Sequence, residues 1–137
     1  MRAVLDTSVI VTALRSKRGP GNKVMRMVAE RKIVPIATPS IFIEYEDVLK
    51  RAEQRLAHGL SMIQVDDFLS ELAAFIDPVE VHYQWRPQLR DPGDEMILEA
   101  AINGHADVLV TYNIRDFAGV ERMFGIRVAT PAELVRR

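Results

Sequence analysis

Acidic side chains recur at the predicted ends of buried strands and the predicted starts of helices, and four of them can meet in one pocket: Asp6, Glu44, Asp94 and Asp116. Four carboxylates in one pocket repel one another, and their protons titrate as a coupled set. A bound cation removes that repulsion. Hard oxygen ligands without histidine or cysteine favour Mg²⁺ or Mn²⁺ over Zn²⁺. The sequence is compatible with one ion or with two.

Asp6 follows the first predicted strand. Residues 3–5 are apolar without alternation, which predicts a strand that is buried on both faces. Thr7 or Ser8 can cap a helix whose residues 9–14 are nearly all apolar. Asp6 therefore lies at the carboxyl end of a buried strand, where open α/β sheets bind ligands. The alternative is that Asp6 is itself a cap or turn residue.

Glu44 lies in a predicted helix that begins at residues 38–40, runs to about residue 58 and ends at Gly59. The expected buried stripe of this helix consists of Ile41, Tyr45, Val48, Ala52 and Leu56. Glu44 falls on the border of that stripe, one turn from the helix start, which is a poor place for a residue that serves only solubility. A snorkelling or capping role is the alternative.

Asp94 lies at the start of a helix predicted over residues 92–103, with Asp91 as its cap and Gly104 as its end. Asp94 precedes three apolar residues of the expected inner face: Ile97, Leu98 and Ala101. That spacing places Asp94 on the buried face, and it predicts that Glu95 and Glu99 point outward. Because Asp91 is available as the cap, Asp94 is free to serve a functional role at the pocket. The alternative is that Asp94 completes a capping box.

Asp116 follows a predicted buried strand over residues 106–110. Thr111 and Asn113 place further polar groups at the same edge of the sheet, and Phe117 is expected to turn back into the core. The alternative is a polar loop in which Asp116 is a turn or cap residue.

The elements that must position these acids alternate between strand and helix along the chain. Strands are predicted over residues 3–5, 33–37, 79–81, 106–110 and 126–129, with 79–81 at an edge. Helices are predicted between them over residues 22–31 and from Ser61 to about residue 76, and after Thr130. The pattern predicts a three-layer α/β/α sandwich with a mostly parallel sheet of about five strands.

Composition bounds the possible classes of protein. A length of 137 residues suits a single domain over residues 1–137, and 48% hydrophobic with 27% charged residues is ordinary for a globular protein. The net charge of −1 excludes nucleic-acid binding by bulk charge, so such binding needs local patches. No cysteine, no long apolar run and no signal peptide are present. We expect a cytoplasmic protein that does not enter membranes.

Basic residues that could hold the phosphates of a polyanion are Arg15, Lys17, Arg18, Lys23 and Arg115. Each could equally be a solvated surface charge. The glycine-rich loop over residues 16–21 lacks the Gly-Lys-Ser/Thr ending of a P-loop. Residues 82–90 contain aromatic and arginine side chains that could stack on nucleic acid, or could simply fold over the core.

Four motifs in order, Val-Leu-Asp6-Thr-Ser-Val, the helical Glu44, Asp94-x-x-Ile-x-x-Ala-Ala and Val-Thr111-x-Asn113-x-x-Asp116-Phe, resemble the PIN-domain ribonucleases. The resemblance is greatest to the toxin components of VapBC-type (type II) toxin–antitoxin systems. It implies a PIN-like fold, metal-dependent RNA cleavage, a homodimer and an antitoxin partner. It also implies that Asp6, Asp94 and Asp116 bind the metal, that Glu44 does so directly or through water, and that Thr111 and Asn113 support the fourth acid.

The sequence departs from the family pattern at two positions. Asn113 stands where relatives often carry an acid, and Asp91 is an additional acid near the third motif.

Two other functions are alternatives to the nuclease. A receiver-like signalling module needs paired acids after the first strand and a late lysine, whereas this chain has a single Asp6 and no lysine after Lys50. A catalytically silent PIN-like scaffold would not need all four acids.

Overall fold

The computed structural model describes residues 1–82 and 91–136. Its strands form one five-stranded sheet in the order β3-β2-β1-β4-β5, and every neighbouring pair is parallel. The strands are β1 (Arg2–Leu5), β2 (Val34–Ala37), β3 (Asp77–Pro78), β4 (Val108–Val110) and β5 (Arg127–Ala129). The predicted α/β class with a parallel five-stranded sheet is therefore confirmed.

Helices connect the strands: α1 (Thr7–Arg15), α2 (Pro20–Ala29), α3 (Pro39–Leu49), α4 (Ala52–His58), α5 (Met62–Phe75), α6 (Pro92–Asn103), α7 (Val120–Phe124) and α8 (Pro131–Val135). A 3₁₀ turn over Ile114–Phe117 follows β4, and its Phe117 is buried as expected. Neither this turn nor α7 was predicted from the sequence. No helix in the described ranges is long and apolar enough to cross a lipid bilayer.

The central strands are buried on both faces. Ala3, Val4 and Leu5 of β1 are at most 1% exposed, and the residues of β4 are all buried. Successive side chains of a strand point to opposite faces, so this uninterrupted burial requires cover on both sides of the sheet. The continuous apolar runs in the sequence arise from this three-layer packing.

The third strand lies at the edge of the sheet, as expected, but its predicted position was wrong. It covers Asp77–Pro78 rather than residues 79–81, because the chain pairs with β2 as soon as α5 ends. The amide of Val79 still donates to the carbonyl of Ala37, after which the strand leaves the sheet. Pro35 lies before the first β2–β3 residue pair, so its missing N–H removes no bond to β3.

The prediction of one helix from residue 38 to residue 58 was wrong. Arg51 adopts an extended conformation (φ −64°, ψ 144°) and separates α3 from α4. Lys50, the C-cap residue of α3, places its ammonium 2.6 Å from the Asp66 carboxylate on α5. Leu49 completes the buried stripe, whereas Leu56 is 88% exposed. Ala52 is also exposed and Val48 is half-buried, since the break turns α4 out of the register of α3.

The outward orientation predicted for Glu95 and Glu99 was also wrong. These side chains are only 4% and 2% exposed, while Asp94 is half-buried. The helical period identifies one inner face, but α6 is buried on more of its circumference than a surface helix. It contacts strands β1, β2 and β4 and helix α3.

Helix boundaries follow the predicted caps in most places. Ser61 forms a capping box with Gln64, and Thr130 forms one with Glu133. Asp91 caps α6 as expected. Helix α1 differs, because its N-cap position is Asp6 and neither Thr7 nor Ser8 occupies it. Helix α2 begins two residues before its predicted start.

The aromatic and basic residues predicted to bind nucleic acid lie outside the described residues: Tyr83, Trp85, Arg86 and Arg90.

Candidate active site

Asp6 is held firmly where β1 meets α1. Its amide donates to the carbonyl of Val110 at 2.9 Å, which continues the β1–β4 pairing by one residue. Its carboxylate Oδ2 accepts a 2.6 Å hydrogen bond from Thr111 Oγ1 and a 3.3 Å bond from Ser8 Oγ. Its side chain makes no cap bond to α1, so the alternative role as a helix cap is not what orients it.

Thr111 supports this arrangement from the end of β4. The residue is completely buried, and its amide donates to the carbonyl of Ala129 in β5 at 2.9 Å. Its hydroxyl oxygen also accepts a 2.9 Å bond from the amide of Asn113. Thr111 therefore connects the Asp6 carboxylate to two strands and to the start of the loop that carries Asp116.

Glu44 and Asp94 face the same cleft as Asp6. A depression of about 140 Å³ is lined by Asp6, Glu44, Asp91 and Asp94, with Ile41 and Ile97 among its apolar walls. The α3 helix contributes Glu44 and the first turn of α6 contributes Asp94. Because both helices start at the carboxyl edge of the sheet, the topology brings these distant acids together.

Burial and the negative charge of the cleft both change the pKa of Asp94. Its pKa is raised from 3.8 to about 6, first by burial and then by the negative charges of Asp91, Asp6 and Asp116. Asp116 does not line the depression; it is an exposed residue of the 3₁₀ turn, whose amide donates to the carbonyl of Asn113. The structure thus groups three acids with Asp91 around the cleft and places Asp116 at its periphery.

The donor set of the cleft fits a hard divalent cation, because the polar side chains of Asp6, Glu44, Asp91 and Asp94 offer carboxylate oxygens. The carboxylates line an open cleft and do not form a complete metal-coordination site. Among residues 1–82 and 91–136, no three acidic or histidine side chains are already close enough together to hold an ion.

The five basic candidates do not form one group beside the acids. All are exposed, and only Arg115 is at this edge of the sheet, next to Asp116. Arg15, Lys17 and Arg18 lie at or beyond the far end of α1, about 13 Å from Asp6 along the helix axis. Arg15 donates to the Gln54 side chain at 2.8 Å. Lys23 lies in α2 and lines a separate surface cleft with Arg26 and Lys32.

Two residues near Asp6 were not predicted to serve the site. Ser8, considered only as a helix cap, instead donates to Asp6 and accepts from the amide of Tyr112 at 3.5 Å. Tyr45, considered only as part of a buried stripe, donates from its hydroxyl to the carbonyl of Leu5. The sequence shows that both residues carry hydroxyl groups, but the hydrogen-bond partners of these groups are set by tertiary contacts.

Residues 2–115 match the family model described as PIN domain. The chain belongs to the PIN domain family. The match covers most of the PIN domain described above, including Asp6, Glu44, Asp94 and Thr111, and it ends one residue before Asp116. PIN domains are generally nucleases. No curated protein sequence matches this chain.

Solved structures share the fold of this PIN domain at low sequence identity. VapBC2 from Rickettsia felis, solved bound to a DNA fragment from the promoter, has a TM-score of 0.64 at 14% identity, over 95% of this chain and 98% of that chain. VapBC-1 from nontypeable Haemophilus influenzae has a TM-score of 0.61 at 16% identity, over 96% of this chain and 99% of that one. The agreement in backbone extends over nearly the whole length of both relatives.

Proposed function

We propose that this PIN domain protein is a metal-dependent endoribonuclease and the toxin of a toxin–antitoxin pair. The observation that carries the proposal is the acidic cleft at the carboxyl edge of the sheet, where the pKa of Asp94 is raised to about 6 by burial and by neighbouring acids. An uncompensated cluster of this kind destabilises a fold, so its presence is best explained by a cation that binds there.

The residues proposed to hold Mg²⁺ or Mn²⁺ are Asp6, Asp94 and Asp116, with Glu44 acting directly or through a water molecule. When bound, such an ion lowers the pKa of water and neutralises charge on the phosphate oxygens. Asp6 is the best-oriented of the four, because Thr111 and Ser8 donate to one of its oxygens and leave the other available. The backbone amide of Asn113 donates to Thr111 Oγ1, so Asn113 is proposed to support the set through Thr111.

RNA is the proposed substrate, and its phosphates must approach an acidic cleft. Of the five basic candidates, Arg115 is the best placed to bind a flanking phosphate, since it adjoins Asp116. Arg15, Lys17 and Arg18 lie at or beyond the far end of α1, and Lys23 lines a separate cleft, so these four are assigned to more distant phosphates. The order of events would be metal first and RNA second, because an uncompensated acidic cleft repels a polyanion.

An antitoxin is the proposed protein partner, and a homodimer is the proposed assembly. The similarity to VapBC structures over nearly the full length of both chains supports the toxin assignment. The absence of cysteine is in keeping with action in the cytoplasm, where RNA is the substrate.

The experiment compares wild type with Asp6→Asn in a cleavage assay on a mixed single-stranded and structured RNA substrate, with Mg²⁺ and with EDTA. We expect wild type to cut only with metal, and Asp6→Asn to lose at least about 100-fold in rate while its circular dichroism stays unchanged. Asp67→Asn, an exposed acid of α5, is the matched control and should cut like wild type. Equal cleavage by Asp6→Asn and wild type would overturn the assignment of Asp6. A wild-type protein that cuts no RNA, either with Mg²⁺ or with EDTA, would favour the catalytically silent scaffold.

A further inference from the structure

The Tyr45 side chain is buried beneath the acidic cleft. The residue is 2% exposed and follows Glu44 directly in α3. Its hydroxyl donates to the carbonyl oxygen of Leu5, the residue that precedes Asp6. One hydrogen bond therefore joins the helix that carries Glu44 to the strand end that carries Asp6.

The position of this bond has a structural reason. The β1–β2 residue pairs run from Arg2↔Val34 to Val4↔Ile36 and stop there, because β2 leads into Thr38, the cap of α3. The Leu5 carbonyl is buried at the end of β1, where a buried carbonyl needs a donor. The Tyr45 hydroxyl supplies one in place of the next backbone amide.

A neighbouring ring holds the Tyr45 side chain in place. Phe42 makes an edge-to-face contact with it at a centroid separation of 6.4 Å. The hydroxyl is thereby kept directed at the Leu5 carbonyl.

We propose that Tyr45 is a positioning residue that sets the separation of Asp6 and Glu44 for metal binding, an inference that rests on the proposed nuclease function. Without its hydroxyl, the end of β1 and the second turn of α3 lose this hydrogen bond. Both acids remain present, but ordering their carboxylates around an ion costs more free energy. Tyr45 itself touches neither metal nor RNA.

The test is Tyr45→Phe, which removes one oxygen and keeps the ring. We expect the dissociation constant for Mn²⁺, measured by titration calorimetry on the full chain, to rise about tenfold. The Mn²⁺ concentration for half-maximal RNA cleavage should rise by a similar factor, while the KM for RNA at saturating metal stays unchanged. In the metal-free protein, amide hydrogen exchange at Asp6 should also become faster.

A loss of general stability must be separated from a loss of positioning. Ser61→Ala removes the cap of α5 outside the cleft and is the matched control, since it lowers stability and leaves Mn²⁺ affinity at the wild-type value. Tyr45→Met removes the hydroxyl in a smaller and more flexible side chain, and its dissociation constant for Mn²⁺ should rise at least as much as that of Tyr45→Phe. Circular dichroism and urea unfolding of both variants identify which of them is folded under the conditions of the titration.

The outcomes separate this inference from the proposed function. If wild type binds Mn²⁺ and cuts RNA but Tyr45→Phe binds Mn²⁺ equally well, Tyr45 is only a core residue and the inference is wrong. If Ser61→Ala loses as much Mn²⁺ affinity as Tyr45→Phe, the effect is one of stability and the inference is again wrong. If wild type binds no divalent ion, the proposed function fails, and the inference fails with it.

Discussion

Asp94 shows at the scale of one residue what an acidic cleft does to the fold that carries it. Its folded-state pKa of about 6 lies above the 3.8 of an unperturbed aspartate. The folded protein therefore holds this proton more tightly than the unfolded chain does. Stability contributed by the protonated form is present below about pH 4 and is lost as the pH rises to about 6. At neutral pH the charged carboxylate is a liability until a cation compensates it.

Asp94→Asn should consequently make the metal-free protein more stable at pH 7. Because the carboxylate is only half-buried, solvent screens part of this effect, and we expect a gain of at most about 1 kcal/mol in the free energy of unfolding. The gain should shrink toward zero near pH 4, where Asp94 of wild type is protonated. Urea unfolding at both pH values, in the presence of EDTA, measures it.

Added Mg²⁺ should reverse the order of stability, because an ion that binds the folded state stabilises wild type and leaves Asp94→Asn little changed. Asp67→Asn serves as the control at each pH. A variant Asp94→Asn that is less stable than wild type in EDTA at pH 7 would show that the carboxylate is favourable where it stands.

At the scale of one element, α4 differs from the other helices of the described residues in burying no side chain. None of its residues is buried, and its links to neighbours include the Arg15–Gln54 hydrogen bond and the His58 ring, which lies 3.1 Å from the Leu49 carbonyl. Helix α3, by contrast, buries Ile41, Tyr45 and Leu49. Two helices that the sequence pattern joins therefore contribute very unequally to the fold.

A pair of leucines measures this inequality. Leu49→Ala should lower the free energy of unfolding by about 2–5 kcal/mol, because it leaves a cavity in the core, whereas Leu56→Ala should change it by at most about 0.5 kcal/mol. Thermal or urea unfolding of both variants provides the comparison. Equal losses would mean that residues 41–56 form the continuous buried stripe that the sequence pattern suggests.

At the scale of the whole molecule, the sheet places all strand ends on one edge, and the chain leaves large aliphatic side chains on its surface. Ile43, Leu56 and Ile63 are 63%, 88% and 73% exposed. Scattered exposed apolar residues are normal in a monomer, so they do not define an interface by themselves. They are nevertheless available to a second subunit or to an antitoxin.

Light scattering at micromolar concentration should report a particle of twice the 15.5 kDa chain mass, as expected for a closed symmetric pair. The same measurement on Asp6→Asn should give the same mass, because the cleft lies at the sheet edge and that substitution changes no apolar surface. A monomer for both proteins would contradict the proposed homodimer and leave the acidic cleft unaffected.

The sequence by itself determined the parallel α/β class, the caps at Ser61, Asp91 and Thr130, and the location of the acids at strand ends and helix starts. These features are local. Burial on both faces of a strand appears as an apolar run, and a cap is recognisable from its own side chain and the helix that follows it.

Only the tertiary structure decided where the helix after β2 breaks, why Glu95 and Glu99 are buried, and which hydroxyls contact Asp6. The break lies at the extended backbone of Arg51, and the burial of Glu95 and Glu99 depends on the strands and the helix that surround α6. The bond from Thr111 to Asp6 spans 105 residues. A helical or strand period specifies which residues share a face, but the neighbours that cover that face come from distant parts of the chain.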